Sequence, residues 1–236
     1  MSLKVGSLLK TSWQIFMGHW RTVMFIVLLV YLPIDLVMEL TPLAGKTDDI
    51  NNMMTLVRFQ SFYELLVGAF AYILIAYLVQ AHLAGQPTDF KSLWSKRFSG
   101  TVYVRYIWTM LVSGLLNGLL FLALIVPGII FGVYWALAGF VSIYEDVGGM
   151  KAMQISKTMV KGRWWRVLWI VTAGAMCFVG ISLAAAMGLS MSYEHWSTSL
   201  AGDIIVDIGG GVYIIYLAVA YAALRSTVPQ ATVQTK

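Results

Sequence analysis

The chain has 236 residues, of which 59% are hydrophobic and 11% charged, with 16 Lys and Arg against 11 Asp and Glu. A soluble domain carries about 25% charged residues because its surface meets water. A soluble fold is excluded on that ground, and the lone Cys177 excludes a disulfide framework and a cysteine-based metal site.

A helix needs roughly 20 mainly apolar residues to cross the bilayer core, and the chain offers six such stretches. An amphipathic segment over 5–18 leads into a first span at Thr22–Leu40, and a second span follows at Phe62–Leu83. A second amphipathic segment over 88–100 places Phe90, Leu93, Trp94 and Phe98 on one face ahead of a third span at Tyr103–Val126. Val126-Pro127-Gly128 is a turn signal and predicts a tight hairpin into a fourth span at Ile129–Tyr144. A third amphipathic segment over 149–164 precedes spans at Val167–Leu189 and Ile204–Leu224. The expected fold is an all-α polytopic helical membrane protein, one domain over 1–236, with interfacial helices.

Of the 16 basic residues, only Lys46 and Arg58 fall in loops on one side of this arrangement, and the other 14 fall on the opposite side. The positive-inside bias then puts both termini in the cytoplasm. The net charge of +5 reads as a topology signal, with no nucleic-acid partner expected.

Two segments share their spacing. Leu9, Ser12, Ile15, Phe16, Gly18, Trp20 and Val23 correspond to Met153, Ser156, Met159, Val160, Gly162, Trp164 and Val167, with Asp89–Arg105 as a degenerate third copy. Each reads as an interfacial helix followed by a membrane hairpin, its aromatic residues in the acyl boundary and its basic residues toward anionic headgroups. Lys157, Lys161, Arg163, Trp164, Trp165 and Arg166, with Trp20 and Arg21, are the candidate headgroup contacts. Basic, tryptophan-rich flanks common to membrane proteins would look the same.

The run Val126-Pro127-Gly128-Ile129-Ile130, followed by Trp135, Glu145, Gly148, Ala152, Ser156 and Lys161-Gly162-Arg163-Trp164-Trp165-Arg166, resembles the signature of YciC-like bacterial inner-membrane proteins. The same signature occurs in the membrane domain attached to some glycerophosphoryl diester phosphodiesterases. The resemblance implies a multi-pass helical domain of the bacterial inner membrane. The phosphodiesterase barrel is absent, so its activity is not carried over.

No nucleophile elbow, zinc-protease or phosphate-loop motif occurs in the chain. Gly209-Gly210-Gly211 suits close helix packing, as do Gly114 with Gly118 and Gly128 with Gly132, and Asn117 suits an interhelical hydrogen bond. His19, His82 and His195 are not expected to gather, and neither a cofactor nor a metal is expected. Glu145 and Asp146 are expected to pair with Lys151, Arg163 or Arg166. The remaining candidates are acids inside the spans: Asp35, Glu39, Glu64 and Asp207, with Asp203 one turn before Asp207. An ionised carboxylate in hydrocarbon costs several kcal/mol unless paired or wetted, so these face a bundle interior, a cavity or the outer headgroups, with Lys46 or Arg58 as counter-ions.

Three functions follow. The first is a non-enzymatic protein that organises or senses anionic lipid, or supports another membrane component or a second copy of itself. The second is a small transporter with an outward acidic cavity. The third is a membrane-embedded lipid-modifying enzyme.

Overall fold

A computed structural model of the chain describes residues 3–40, 50–192 and 196–228, and the regular structure among them is helical throughout. The helices are α1 (Val5–Leu40), α2 (Ile50–Tyr63), α3 (Ala69–Leu83), α4 (Phe90–Arg97), α5 (Gly100–Ala123), α6 (Ile125–Trp135), α7 (Ala138–Tyr144), α8 (Met150–Val160), α9 (Trp164–Gly174), α10 (Ile181–Ser192) and α11 (Trp196–Arg225). One π-helical turn, Glu64–Gly68, joins α2 to α3, and another, Ala175–Gly180, joins α9 to α10. Six stretches are long and apolar enough to cross a membrane: Val5–Met38, Arg58–Leu83, Gly100–Ala123, Ile125–Tyr144, Trp164–Leu189 and Leu200–Arg225. The chain is a multi-pass membrane protein. Six crossings leave the start of α1 and the end of α11 on one face, called here the basic face.

The repeat is present in the backbone. His19 breaks α1 at φ −127°, ψ 20°, and Arg163, 144 positions later, precedes α9 at φ −134°, ψ 18°. Ahead of each break a serine is fully buried, and its hydroxyl donates to a carbonyl: Ser12 to Leu8 and Ser156 to Tyr134, both at 2.7 Å. After each break the same positions are buried, Val23 with Val167 and Ile26 with Ile170. The second break follows Gly162 at φ +81°, a conformation that costs glycine little and other residues more. The third copy, α4, keeps only the order of helix, break and span. Asp89 caps it through the Ser92 N–H, and Ser99 caps α5 through the Thr101 N–H.

The hairpin between the third and fourth spans turns at Leu124 (φ −158°, ψ 122°), ahead of the expected Val126-Pro127-Gly128. Pro127 lies inside the first turn of α6, where its missing N–H has no intrahelical acceptor to lose. Gly128 and Gly132 do bring the two legs together, against Phe121 and Asn117 respectively. Asn117 packs on Gly132 with its Oδ1 buried and without a hydrogen-bond partner, so the expected interhelical bond is not made. Gly114 and Gly118 face outward with no contact near either Cβ position.

The centre of the bundle is α3 and α11, whose middles are buried, while the third and fifth spans are peripheral. In a bilayer such contacts rest on close van der Waals packing and interhelical hydrogen bonds. Gly211 lets α11 lie on Val27 and Val23 of α1 and on Ile75 of α3, and Gly209 lies against Ser182 and the Phe178 carbonyl. Tyrosine hydroxyls then donate across helices to carbonyls: Tyr216 to Ile170, Tyr213 to Val171 and Tyr144 to Ala76.

At the basic face two ion pairs bolt helix ends together. Arg225 of α11 donates to both oxygens of Glu145, which also accepts from Tyr221 at 2.9 Å. Arg105 of α5 pairs with Asp146 at 2.6 Å. These are not the expected partners. The acids tie α7 to α11 and α5, and neither binds the interfacial α8.

Two stability outcomes are expected. A Cβ at Gly174 would overlap the ring of Tyr216, which is fully buried. Gly174→Val should therefore cost about 1–3 kcal/mol in thermal unfolding, against no change for Gly188→Ala, where the space is open. Glu145→Ala leaves Arg225, only 20% exposed, without its carboxylate and should cost about 3 kcal/mol, much of it recovered in Glu145→Leu/Arg225→Leu.

Candidate functional site

Three spans carry acids, and the fold turns all three toward one place. On α1, Tyr31, Ile34, Asp35 and Met38 share a face by helical spacing. On α11, Asp203, Val206, Asp207, Gly210 and Tyr213 do the same. The π turn at Glu64–Gly68 brings Glu64 and Gly68 to the same side; such turns recur at functional sites because they redirect side chains within a continuous helix. The other π turn contributes Val179. Two adjoining cavities result, of about 280 Å³ and 370 Å³. They share Tyr31, Glu64, Val206 and Asp207 and form one cleft in the half of the bundle away from the basic face.

The cleft is polarised. Its smaller part holds Asp35, Glu64, Asp203 and Asp207. Its larger part is walled by Tyr31, Tyr72, Tyr106 and Tyr213. Asp35 and Asp207 lie within hydrogen-bonding reach of one another. Each also has an Oδ2 that is buried with no donor upon it. Two carboxyl groups so close require a proton or a cation between them. The expected counter-ions do not supply it. Arg58 is exposed and makes no ion pair with these acids, and Lys46 lies outside the described residues. Among the described residues no lysine or arginine is paired with Asp35, Glu64 or Asp207.

The tyrosines divide into two groups. Tyr63 and Tyr213 donate to the carbonyls of Val30 and Val171. Tyr31, Tyr72 and Tyr106 line the cleft and make no hydrogen bond among the described residues. Tyr106 is only 7% exposed, held by Tyr72, whose ring also meets Phe140. Gly68 makes room for the Tyr31 hydroxyl, 3.2 Å from where a Cβ would stand. The sequence reading passed over these tyrosines, although Tyr31 stands one helical turn before Asp35 and so shares its face.

The other candidates do not converge on one site. Lys157 lies over the rings of Phe131 and Tyr134, at 5.4 and 5.7 Å from their centroids, and Arg21 lies over Trp20 at 5.5 Å. Arg163 donates to Thr227 and the Trp164 indole to the Ile130 carbonyl, so both anchor helix ends. Trp165, Lys161 and Arg166 are exposed on the basic face. The side chain of Glu39, and residues Glu194 and His195, lie outside the described residues. The histidines gather where none was expected to: His19 Nε2 meets His82 Nδ1 at 2.9 Å, and Thr88 meets the other ring nitrogen of His19 at 3.1 Å. Their shared position near one face was the available signal. Among the described residues no three His, Cys, Asp or Glu side chains stand where they could hold a metal ion.

No curated protein and no solved structure matches the chain. One family does, described as a domain of unknown function (DUF8558), over residues 98–220. The match takes in α5 through most of α11, including Tyr106, Val179 and Asp207 of the cleft. It spans just over half of the sequence, and the chain belongs to the DUF8558 family.

Proposed function

We propose that the chain is a small transporter of the bacterial inner membrane, its termini cytoplasmic, which takes a cation into the cleft from the opposite side. The observation that carries this reading is the meeting of Asp35, Glu64 and Asp207 from three separate spans around a cavity, with no basic side chain among the described residues paired to them. Asp35 and Asp207 each bury a carboxylate oxygen within a span, which is expensive, and lipid packing alone gives no reason to place them together. A cation that enters supplies the missing charge, and its binding energy is available to shift the helices around it. The cleft lies between the first and third repeat units, where transporters built from repeats hold their substrates. No catalytic residue is needed, and the reading is non-enzymatic.

Lipid organisation is the second reading, and the basic face favours it. Trp165 is 69% exposed and Trp20 48% exposed, beside Lys161, Arg166 and Arg21. Aromatic and basic side chains so placed suit anionic headgroups. Anionic lipid is then a partner that seats the protein, and the cleft is the site of its activity.

Proteoliposomes with an imposed cation or proton gradient test the transport reading. Wild type should show flux that Asp207→Asn and Asp35→Asn each reduce by at least about tenfold, a loss of about 1.4 kcal/mol or more, while Arg58→Gln keeps it. Absence of flux in wild type for protons, alkali ions and amines would remove the reading. If instead anionic-lipid retention in native mass spectrometry were lost on neutralising Lys157, Lys161, Arg163 and Arg166, the lipid reading would take its place.

A further inference from the structure

We infer that the cation this cleft takes is a primary alkylammonium ion, its NH₃⁺ group among Asp35, Asp207 and the Tyr31 hydroxyl and its carbon chain along the wall that Tyr72 and Tyr106 form. The inference rests on the transport reading above and specifies its substrate class.

Three observations separate this ligand from the other cations. First, a bare metal ion needs several oxygen ligands converging at about 2.0–2.6 Å. No three His, Cys, Asp or Glu side chains among the described residues stand close enough to hold one. Secondly, a proton needs no room, yet Glu64 and Asp207 open onto a cavity of about 370 Å³ walled by the rings of Tyr31, Tyr72, Tyr106 and Tyr213. Thirdly, the orphaned polar atoms match the donors of an ammonium group. An NH₃⁺ group has three N–H donors and no acceptor. Buried Oδ2 atoms of Asp35 and Asp207 have no donor upon them. Tyr31 stands within electrostatic reach of both acids and of Glu64, and its oxygen is free to accept the third N–H.

The aromatic wall gives the second half of the recognition. Tyr106, more than nine-tenths buried and without a hydrogen-bond partner among the described residues, lines the cavity with Tyr72 at a ring separation of 4.9 Å. Ring faces attract a nearby cation by about 0.5–2 kcal/mol and give apolar contact to methylene groups. Val179 and Ile214 extend that contact. An acidic end beside an aromatic and aliphatic end is the polarity profile of an alkylammonium ion and of no inorganic cation.

Isothermal titration of the full chain in nanodiscs decides it, with butylammonium, tetramethylammonium, K⁺ and Mg²⁺ as separate probes. Butylammonium should bind, and tetramethylammonium, which has the charge but no N–H donors, should bind at least about tenfold more weakly, as expected for lost charge-assisted hydrogen bonds. Tyr31→Phe keeps the ring and removes the acceptor, and it should weaken butylammonium by about tenfold while leaving the tetramethylammonium affinity in place. Asp35→Asn serves as the second variant should Tyr31→Phe not retain the wild-type unfolding temperature, and it should weaken butylammonium by at least about tenfold. Equal affinity for the two ammonium ions would overturn the inference. So would Asp207-dependent binding of K⁺ or Mg²⁺ without butylammonium, although the transport reading would then stand. Binding of no cation by wild type would remove both.

Discussion

The approach of α11 to α1 is the constraint on which the rest of the structure depends. Glycine at position 211 allows the helix to lie on Val27 and Val23, and two antiparallel helices in that register bring Asp207 beside Asp35. In hydrocarbon there is no hydrophobic force to draw these helices together, so contact area and shared hydrogen bonds must do it. The tyrosine hydroxyls of α11 that donate to carbonyls of α9 hold the opposite side. At the basic face Glu145 closes the assembly by gathering Arg225 and Tyr221. Packing is thus tight around the middle of α11, and the end that carries Asp203 and Asp207 lines an open cleft.

The internal repeat explains where the cleft lies and why it is chemically distinct. The 144-residue relation that pairs His19 with Arg163 also pairs Tyr72 with Tyr216, Ala76 with Ala220 and Tyr77 with Tyr221 in the buried parts of α3 and α11. It pairs Asp35 with Val179 and Tyr63 with Asp207, and all four of these residues line the cleft. Equivalent positions of two units therefore meet there, as at a pseudo-symmetry axis. The residues that maintain packing are alike in the two units, whereas those facing the cleft differ.

The two faces of the molecule divide the polar residues by role. On the basic face, charges are paired or stacked: Glu145 with Arg225, Asp146 with Arg105, Lys157 over Phe131. Those interactions fix helix ends against each other. In the cleft Asp35, Glu64 and Asp207 are paired with no lysine or arginine among the described residues.

The sequence by itself determined the number of spans, the breaks between interfacial helix and span, and the segregation of basic residues to one side. Hydropathy and charge act on each segment against its solvent, whatever the neighbouring helix, so they can be read one stretch at a time. The spacing of Leu9–Val23 and Met153–Val167 was legible for the same reason, because local periodicity carries it. Only the tertiary structure decided which side chains meet. It joined Asp35 to Asp207, gave Glu145 to Arg225 in place of α8, brought His19 to His82, left Asn117 unbonded and moved the hairpin turn to Leu124. Each of these depends on the rotation and crossing of whole helices. Those are set by contacts between small residues far apart in the chain, such as Gly211 on Val27, and the residues at either end of such a contact bear no local mark of it.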